Sequence, residues 1–334
     1  GKLAEVVIVS RDAAAPMGRI MSFVDIPTRR EVFEEEQTLV GHTLGVHCMV
    51  QLDDGRVVSG SYDRTLIVWA KGDGGAFVAT QTLTGHTDAV YCVVQLGGGR
   101  LVSGSRDRSL IVWASGDDGA FAAAQTLSGH TDRVYCMALL GDGRIVSGSR
   151  DNTLIVWAAG DDGMFAAAQT LRGHTSYVAC VEQLDDGRVV SGSDDNTMIV
   201  WAKGEDGMFA AAQTLSGHTS YVECVAQLDG KRIVSGSNDT TLIVWEADDD
   251  GAFTAAQTLS GHTGVVRCVA PLDDGRLVSG SDCTRLIVWA PGDDGAFAAA
   301  QTLSGHTDYV FCVARLDDGR LVSGSMDQTL KVWE

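Results

Sequence analysis

The stretch GHTDRVYCMALLGDGRIVSGSRDNTLIVWAAGDDGMFAAAQTL (residues 129–171) contains four short apolar runs separated by Gly/Asp turns. VYCMALL (134–140) is followed by the turn GDGR and then by RIVSGS (144–149). The turn RDNT leads into TLIVWA (153–158), and AGDDG introduces MFAAAQTL (164–171). Short β-rich runs broken by such turns predict an antiparallel meander. The last run is Ala-rich, but it is too short to stand as a helix. It is therefore read as the fourth, outermost strand.

Around this stretch the chain copies itself. Its opening GH pair recurs at Gly41, Gly85, Gly129, Gly173, Gly217, Gly261 and Gly305, an unbroken period of 44 residues. Self-similarity at this length is the signature of a solenoid or a propeller. Each unit carries GH, then SGSxD (SGSDC in the sixth), then a Trp six residues past the Asp. This pattern resembles the WD-repeat β-propeller family, and the resemblance covers residues 31–334. One departure is mild: the Asp that usually follows the Trp is Ala in most units and Glu after Trp245 and Trp333. The resemblance implies an all-β, seven-bladed propeller with one four-stranded antiparallel blade per repeat around a central channel, a radial answer to exposed sheet edges.

The chain ends do not fall at blade edges. The last unit stops at KVWE, after its third strand, while EVFEEEQTL (31–39) aligns with GAFAAAQTL (119–127). The N-terminal strand is therefore expected to complete the seventh blade and close the ring. Residues 1–30 belong to no repeat; AEVVIVS (4–10) and RIMSFVDI (19–26) read as strand-like.

Composition narrows the function. A net charge of −19 opposes general binding to nucleic acid or anionic lipid, because both require Lys and Arg to neutralise phosphate. No apolar run approaches the ~18 residues that cross a membrane. Seven cysteines (Cys48, Cys92, Cys136, Cys180, Cys224, Cys268, Cys312) recur at one repeat position, and Cys283 stands alone. An odd, evenly spaced set without a CxxC pair argues against a disulfide framework and a zinc site. Buried free thiols in the cytosol or nucleus are the expectation.

His, Ser and Asp in every unit invite comparison with a hydrolase triad. The histidines are His42, His86, His130, His174, His218, His262 and His306; the aspartates are Asp63, Asp107, Asp151, Asp195, Asp239 and Asp327. The matching tryptophans are Trp69, Trp113, Trp157, Trp201, Trp245, Trp289 and Trp333. A catalytic site is needed once, whereas this set recurs with the fold period. The family resemblance implies instead a structural network in which Asp accepts from His, and His and Ser connect to Trp. Blade six departs: Cys283 stands at the Asp position and Asp282 one residue early, which predicts a slipped turn and a His262 without its carboxylate. The DDG pairs resemble calcium loops but lack the spaced oxygen ligands, and Asp-Gly is also a preferred hairpin turn. No phosphate loop, HExxH or nucleophile elbow occurs. No enzyme, cofactor or metal is expected.

In a meander, successive turns alternate between the two ends of a blade. The GHTxx loop and the SxDx turn therefore share one face, and the DDGR and GDDG segments share the other, which is nearly uniform. Most of the variation lies on the first face. Arg133, Tyr177, Tyr221 and Tyr309 follow the GHT loop, and Tyr91, Tyr135, Glu223, Arg267 and Phe311 lie two residues further on, with period-two alternation placing both sets on one side. Tyr62, Arg106, Arg150, Asp194 and Met326 precede the turn Asp, while Arg64 and Arg108 follow it. Core positions are fixed because seven copies share one packing problem. The variable mouth is enriched in Tyr, Arg, Phe and Met, residues that dominate interface energetics. The expected function is a monomeric protein-interaction scaffold taking a peptide or partner loop, acidic or phosphorylated on the Arg side. The alternative is a recently duplicated structural unit serving an appended effector domain.

Overall fold

The computed structural model describes residues 32–334; the extension read at 1–30, with its two strand-like runs, lies outside the described residues. Among the described residues, 28 strands form seven four-stranded antiparallel sheets. No helix among them is long and apolar enough to cross a membrane. In blade three the strands are Val134–Leu139, Ile145–Ser149, Thr153–Ala159 and Phe165–Arg172, so the Ala-rich run is the outer strand. Its local preference yields to pairing with the third strand, where Leu154 faces Leu171 and Ala159 faces Phe165.

The seventh blade is built from both ends of the described chain. Glu35–Val40 lies beside Thr329–Trp333, with Leu39 opposite Leu330 and Val40 opposite Thr329. Glu34 and Glu334 exchange backbone hydrogen bonds of 2.8 Å in each direction. Two ion pairs mark this seam. Lys331, which replaces the isoleucine of the other blades, reaches Glu35 at 2.6 Å, and Arg320 reaches Glu36 at 2.7 Å. Glu35 and Glu36 stand where Ala123 and Ala124 stand in blade two, so the charges single out the closing strand among near-identical alternatives.

The core lies between blades rather than within them. Cys136, Ala138, Leu140, Val146 and Val156 of blade three pack on Val178, Val181, Ile199, Trp201 and Phe209 of blade four. Such close approach requires glycine in SGS: a Cβ at Gly148 would stand 2.5 Å from the Cys136 sulfur and 2.7 Å from a Val178 methyl carbon. Two further clamps repeat around the ring. Gln125 receives the Phe165 amide at 2.9 Å and donates to its carbonyl at 2.7 Å. On the DDGR face, Arg144 stacks 5.2 Å from the Phe209 ring and donates to the Gly207 carbonyl at 3.0 Å. The circle closes because Gln301 clamps Phe33, Arg276 stacks on it, and Gln37 and Arg320 do the same for Phe77.

Candidate functional site

The repeated His, Ser, Asp and Trp form one buried chain of hydrogen bonds per blade. In blade three, Trp157 donates to the Ser147 hydroxyl at 2.9 Å, and that hydroxyl lies 2.8 Å from His130 Nε2. An indole N–H only donates, so the Ser147 oxygen accepts from Trp157 and spends its single proton on Nε2. His130 Nδ1 then carries the ring proton and donates to Asp151 at 3.0 Å. The carboxylate also accepts from the Thr131 amide at 2.9 Å, the Thr153 amide at 3.0 Å and the Thr153 hydroxyl at 2.6 Å. The same bonds join His42 to Asp63, His86 to Asp107, His174 to Asp195, His218 to Asp239 and His306 to Asp327. With Trp69, Trp113, Trp201, Trp245 and Trp333 on the corresponding serines, every polar atom in the chain is satisfied.

Blade six differs from the sequence expectation. Its turn is not slipped: the Asp282 amide donates to the Val265 carbonyl at 2.9 Å and Thr284 keeps the left-handed φ of 65° found at the same position in every blade. Cys283 simply takes the place of Asp, with its sulfur 3.3 Å from His262 Nδ1. Burial lowers the His262 pKa to about 4. Asp282 turns instead toward the channel mouth and binds Arg267 through two hydrogen bonds of 2.9 and 2.8 Å.

The network fixes the platform that carries the variable residues. In each blade the backbone before the turn Asp is tied to the GHT loop, as where Arg150 N donates to the Arg133 carbonyl at 2.9 Å. Radial symmetry then brings the three variable columns to one axis. Tyr62, Tyr91, Arg106, Arg133, Tyr135, Arg150, Tyr177, Asp194, Tyr221, Glu223, Arg267, Tyr309, Phe311 and Met326 line one bowl of about 710 Å³. Arg64 and Arg108 do not. They occupy the left-handed turn position, with φ of 73° and 74°, and point to solvent outside the bowl.

The bowl has three sectors. Its floor on blades seven, one, two and three is aromatic: His47 stacks on Phe311 at 4.9 Å, approaches Tyr91 at 4.7 Å, and Tyr91 meets Tyr135 at 5.0 Å. Tyr62 packs edge-on to His47 and Tyr91. Tyr91 is only 6% accessible, and the other rings of the floor are half-buried. Burial lowers the His47 pKa to about 4 and raises the Tyr62 and Tyr91 phenols. Tyr221, Tyr309 and Met326 form the exposed rim.

An arc of arginines alternates with these tyrosines. Arg150 lies 4.5 Å from the Tyr177 ring centre and donates to its hydroxyl at 2.7 Å. Arg106 has a loose, exposed pair with Asp88 at 3.5 Å, of a kind that contributes little. The Arg133 guanidinium has no ion pair among the described residues. On blades five and six, by contrast, Arg267 is neutralised by Glu223 at 3.0 Å and Asp282 at 2.8 Å. Burial raises the Asp194 carboxyl, opposed by Arg267 and Arg150. The positive charge still available to a ligand therefore lies on blades two and three. Sequence reasoning passed over His47 as a site residue, although it stands in the same column as Tyr91, Tyr135 and Phe311. It also gave the DDGR arginines no role, although their invariance from blade to blade was the available sign of the Phe clamp. Among the described residues, no group of three or more His, Cys, Asp or Glu is placed to hold a metal.

A family model described as "WD domain, G-beta repeat" matches residues 33–70, 77–114, 122–158, 166–202, 210–246, 253–289 and 298–334. No curated protein sequence matches the chain. Among solved structures it is similar to the WD40 β-propeller domain of Doa1, at 24% identity and a TM-score of 0.76, covering 90% of this chain and 97% of that one. That likeness speaks to the fold, whereas the family model matches each of the seven blades in turn. The chain belongs to the WD-repeat family, folded as a seven-bladed propeller closed by strand Glu35–Val40.

Proposed function

We propose that this propeller is a non-catalytic scaffold whose bowl receives a peptide or partner loop, with an acidic or phosphorylated group of the ligand on the Arg106, Arg133 and Arg150 arc. Propellers of this family are generally protein-interaction scaffolds, and that is the frame for the reading. The observation that carries it is convergence. Positions that vary among otherwise near-identical repeats line a single bowl, and they vary toward Tyr, Arg, Phe and Met. The rigid aromatic floor costs little entropy on binding, and guanidinium groups pair with carboxylate or phosphate through two parallel bonds. The net charge of −19 disfavours nucleic acid and anionic membranes. The scaffold acts as a monomer in the cytosol or nucleus, where its eight thiols stay reduced.

The test is a random peptide library, with and without phosphorylated residues, panned against the full chain. Enriched sequences should carry clustered Asp, Glu or phosphate, and their capture should be lost with Arg106→Glu/Arg150→Glu. Enrichment of neutral or basic sequences, indifferent to that double reversal, would refute the reading.

A further inference from the structure

We propose that Cys283 is an oxidation site, at which a peroxide converts the thiol to a sulfinate and thereby completes in blade six the network that the other blades build with aspartate. The proposal rests on two independent features: a half-buried cysteine on the mouth-side turn, and a buried histidine aimed at it without the carboxylate that its six counterparts have. His262 is 6% accessible and its Nδ1 stands 3.3 Å from the Cys283 sulfur. Its Nε2 faces the Ser279 hydroxyl at 2.7 Å, and Trp289 donates to the same oxygen. The tautomer argument used for His130 therefore applies, and the Nδ1 proton points at sulfur.

Six copies within this one chain define what those donors bind. In blade three the carboxylate of Asp151 accepts from His130 Nδ1, the Thr131 amide and the Thr153 amide. In blade six the turn keeps the same geometry, and His262 Nδ1 faces the Cys283 thiol instead of a carboxylate. Sulfur is a weak acceptor, so the His262 proton gains little from it. A sulfinate on Cβ has the connectivity of the aspartate side chain, with one central atom and two oxygens sharing a negative charge. Its oxygens give the His262 Nδ1 proton a charged acceptor, as Asp151 gives that of His130.

The chemistry needs hydrogen peroxide as oxidant. The Cys283 thiolate, the nucleophilic form, attacks one peroxide oxygen; the S–O bond forms, the O–O bond breaks, and hydroxide leaves to take up the thiol proton as water. Sulfur is oxidised by two electrons to the sulfenic acid, and the peroxide is reduced. A second peroxide delivers a second oxygen in the same way, releasing water and giving the sulfinic acid, which ionises. The other seven cysteines are poor competitors. They pack against glycine and the next blade, and burial holds their thiols far above the ordinary range, about 12 for Cys136. The change is also placed to reach the mouth, because the adjacent Asp282 holds Arg267 at 2.9 and 2.8 Å.

The experiment treats the full-length chain with graded hydrogen peroxide, maps the product by peptide mass spectrometry and measures the melting temperature of each fraction. Two oxygen atoms should appear on Cys283 before any other cysteine, and the oxidised protein should melt a few degrees higher than the reduced protein. Cys283→Asp should show the higher melting temperature without peroxide, and Cys283→Ser should show neither the modification nor the rise. Oxidation of a buried repeat cysteine first, no sulfinate at Cys283, or a lower melting temperature on its formation would each overturn the proposal.

Discussion

Substituting Asp151 by Cys gives blade three the network cysteine of blade six, and its cost follows from the bonds removed. The carboxylate is 11% accessible and accepts His130 Nδ1, two backbone amides and the Thr153 hydroxyl at 2.6–3.0 Å. A hydrogen bond to a charged group contributes about 1.5–3 kcal/mol, but bonds sharing one acceptor do not add. The expected loss at pH 7 is therefore about 2–4 kcal/mol. The pH dependence has a definite sign. Burial opposes ionisation of Asp151, yet bonds from His130, Thr153 and Thr131 outweigh it and hold the carboxyl well below its ordinary range. A depressed folded-state pKa gives stability that is complete above the unfolded value, near 3.9, and is lost as pH falls. At pH 3 the deficit of Asp151→Cys should be smaller by about 1 kcal/mol. Urea unfolding followed by tryptophan fluorescence measures both quantities, since Trp157 belongs to the same network. A penalty under about 0.5 kcal/mol, or one that grows at pH 3, would refute the buried, charged network.

Removing residues 1–40 deletes the closing strand together with Phe33, Glu35 and Glu36, and leaves Thr329–Trp333 as an open edge. Open edges template pairing with other chains, so sizing chromatography should show concentration-dependent association; a monomer with an unchanged melting temperature would contradict closure. Arg144→Ala removes the stack on Phe209 and the bond to the Gly207 carbonyl, and should cost about 1–2 kcal/mol in a urea melt. No measurable loss there would mean that the DDGR face is only a solvated surface. Burial lowers both His47 and His262 to about 4, so stability should begin to fall as pH drops below the ordinary histidine value near 6.5. Replacing His47 by Phe should flatten the part of that decline that His47 contributes.

The blade, its period and the closing strand were legible in the sequence because each depends on local patterning: apolar runs, Gly/Asp turns and a fixed repeat. The links between blades were not. Invariant Gln125 and Arg144 look like ordinary repeated surface residues until the ring places them against Phe165 and Phe209. The packing at the mouth was not legible, because sequence gives each column without its convergence. Seven inner strands meeting at one axis bury Tyr91 and His47 in a shared cluster. Arg64 and Arg108 were grouped with the mouth by position alone, whereas the left-handed turn directs them outside it. In blade six, Asp282 looked like a displaced network residue. Its true partner, Arg267, lies 15 positions away in the chain and meets it only across the inner hairpin.

The central claim is that the arginine arc of blades two and three, and not the uniform opposite face, recognises an acidic ligand. Titration calorimetry with the best acidic or phosphorylated peptide from the library tests it on three proteins: the unmodified chain, Arg106→Glu/Arg150→Glu, and Lys231→Glu. Lys231 is exposed in an opposite-face hairpin, where its pair with Asp249 is loose at 3.7 Å. The account predicts that binding vanishes in the double mutant with the melting temperature unchanged, persists in Lys231→Glu, and weakens in the unmodified chain as salt rises and the screening length shrinks from about 8 Å to about 3 Å. Binding that survives the double reversal but is lost with Lys231→Glu would place recognition on the other face and contradict the account.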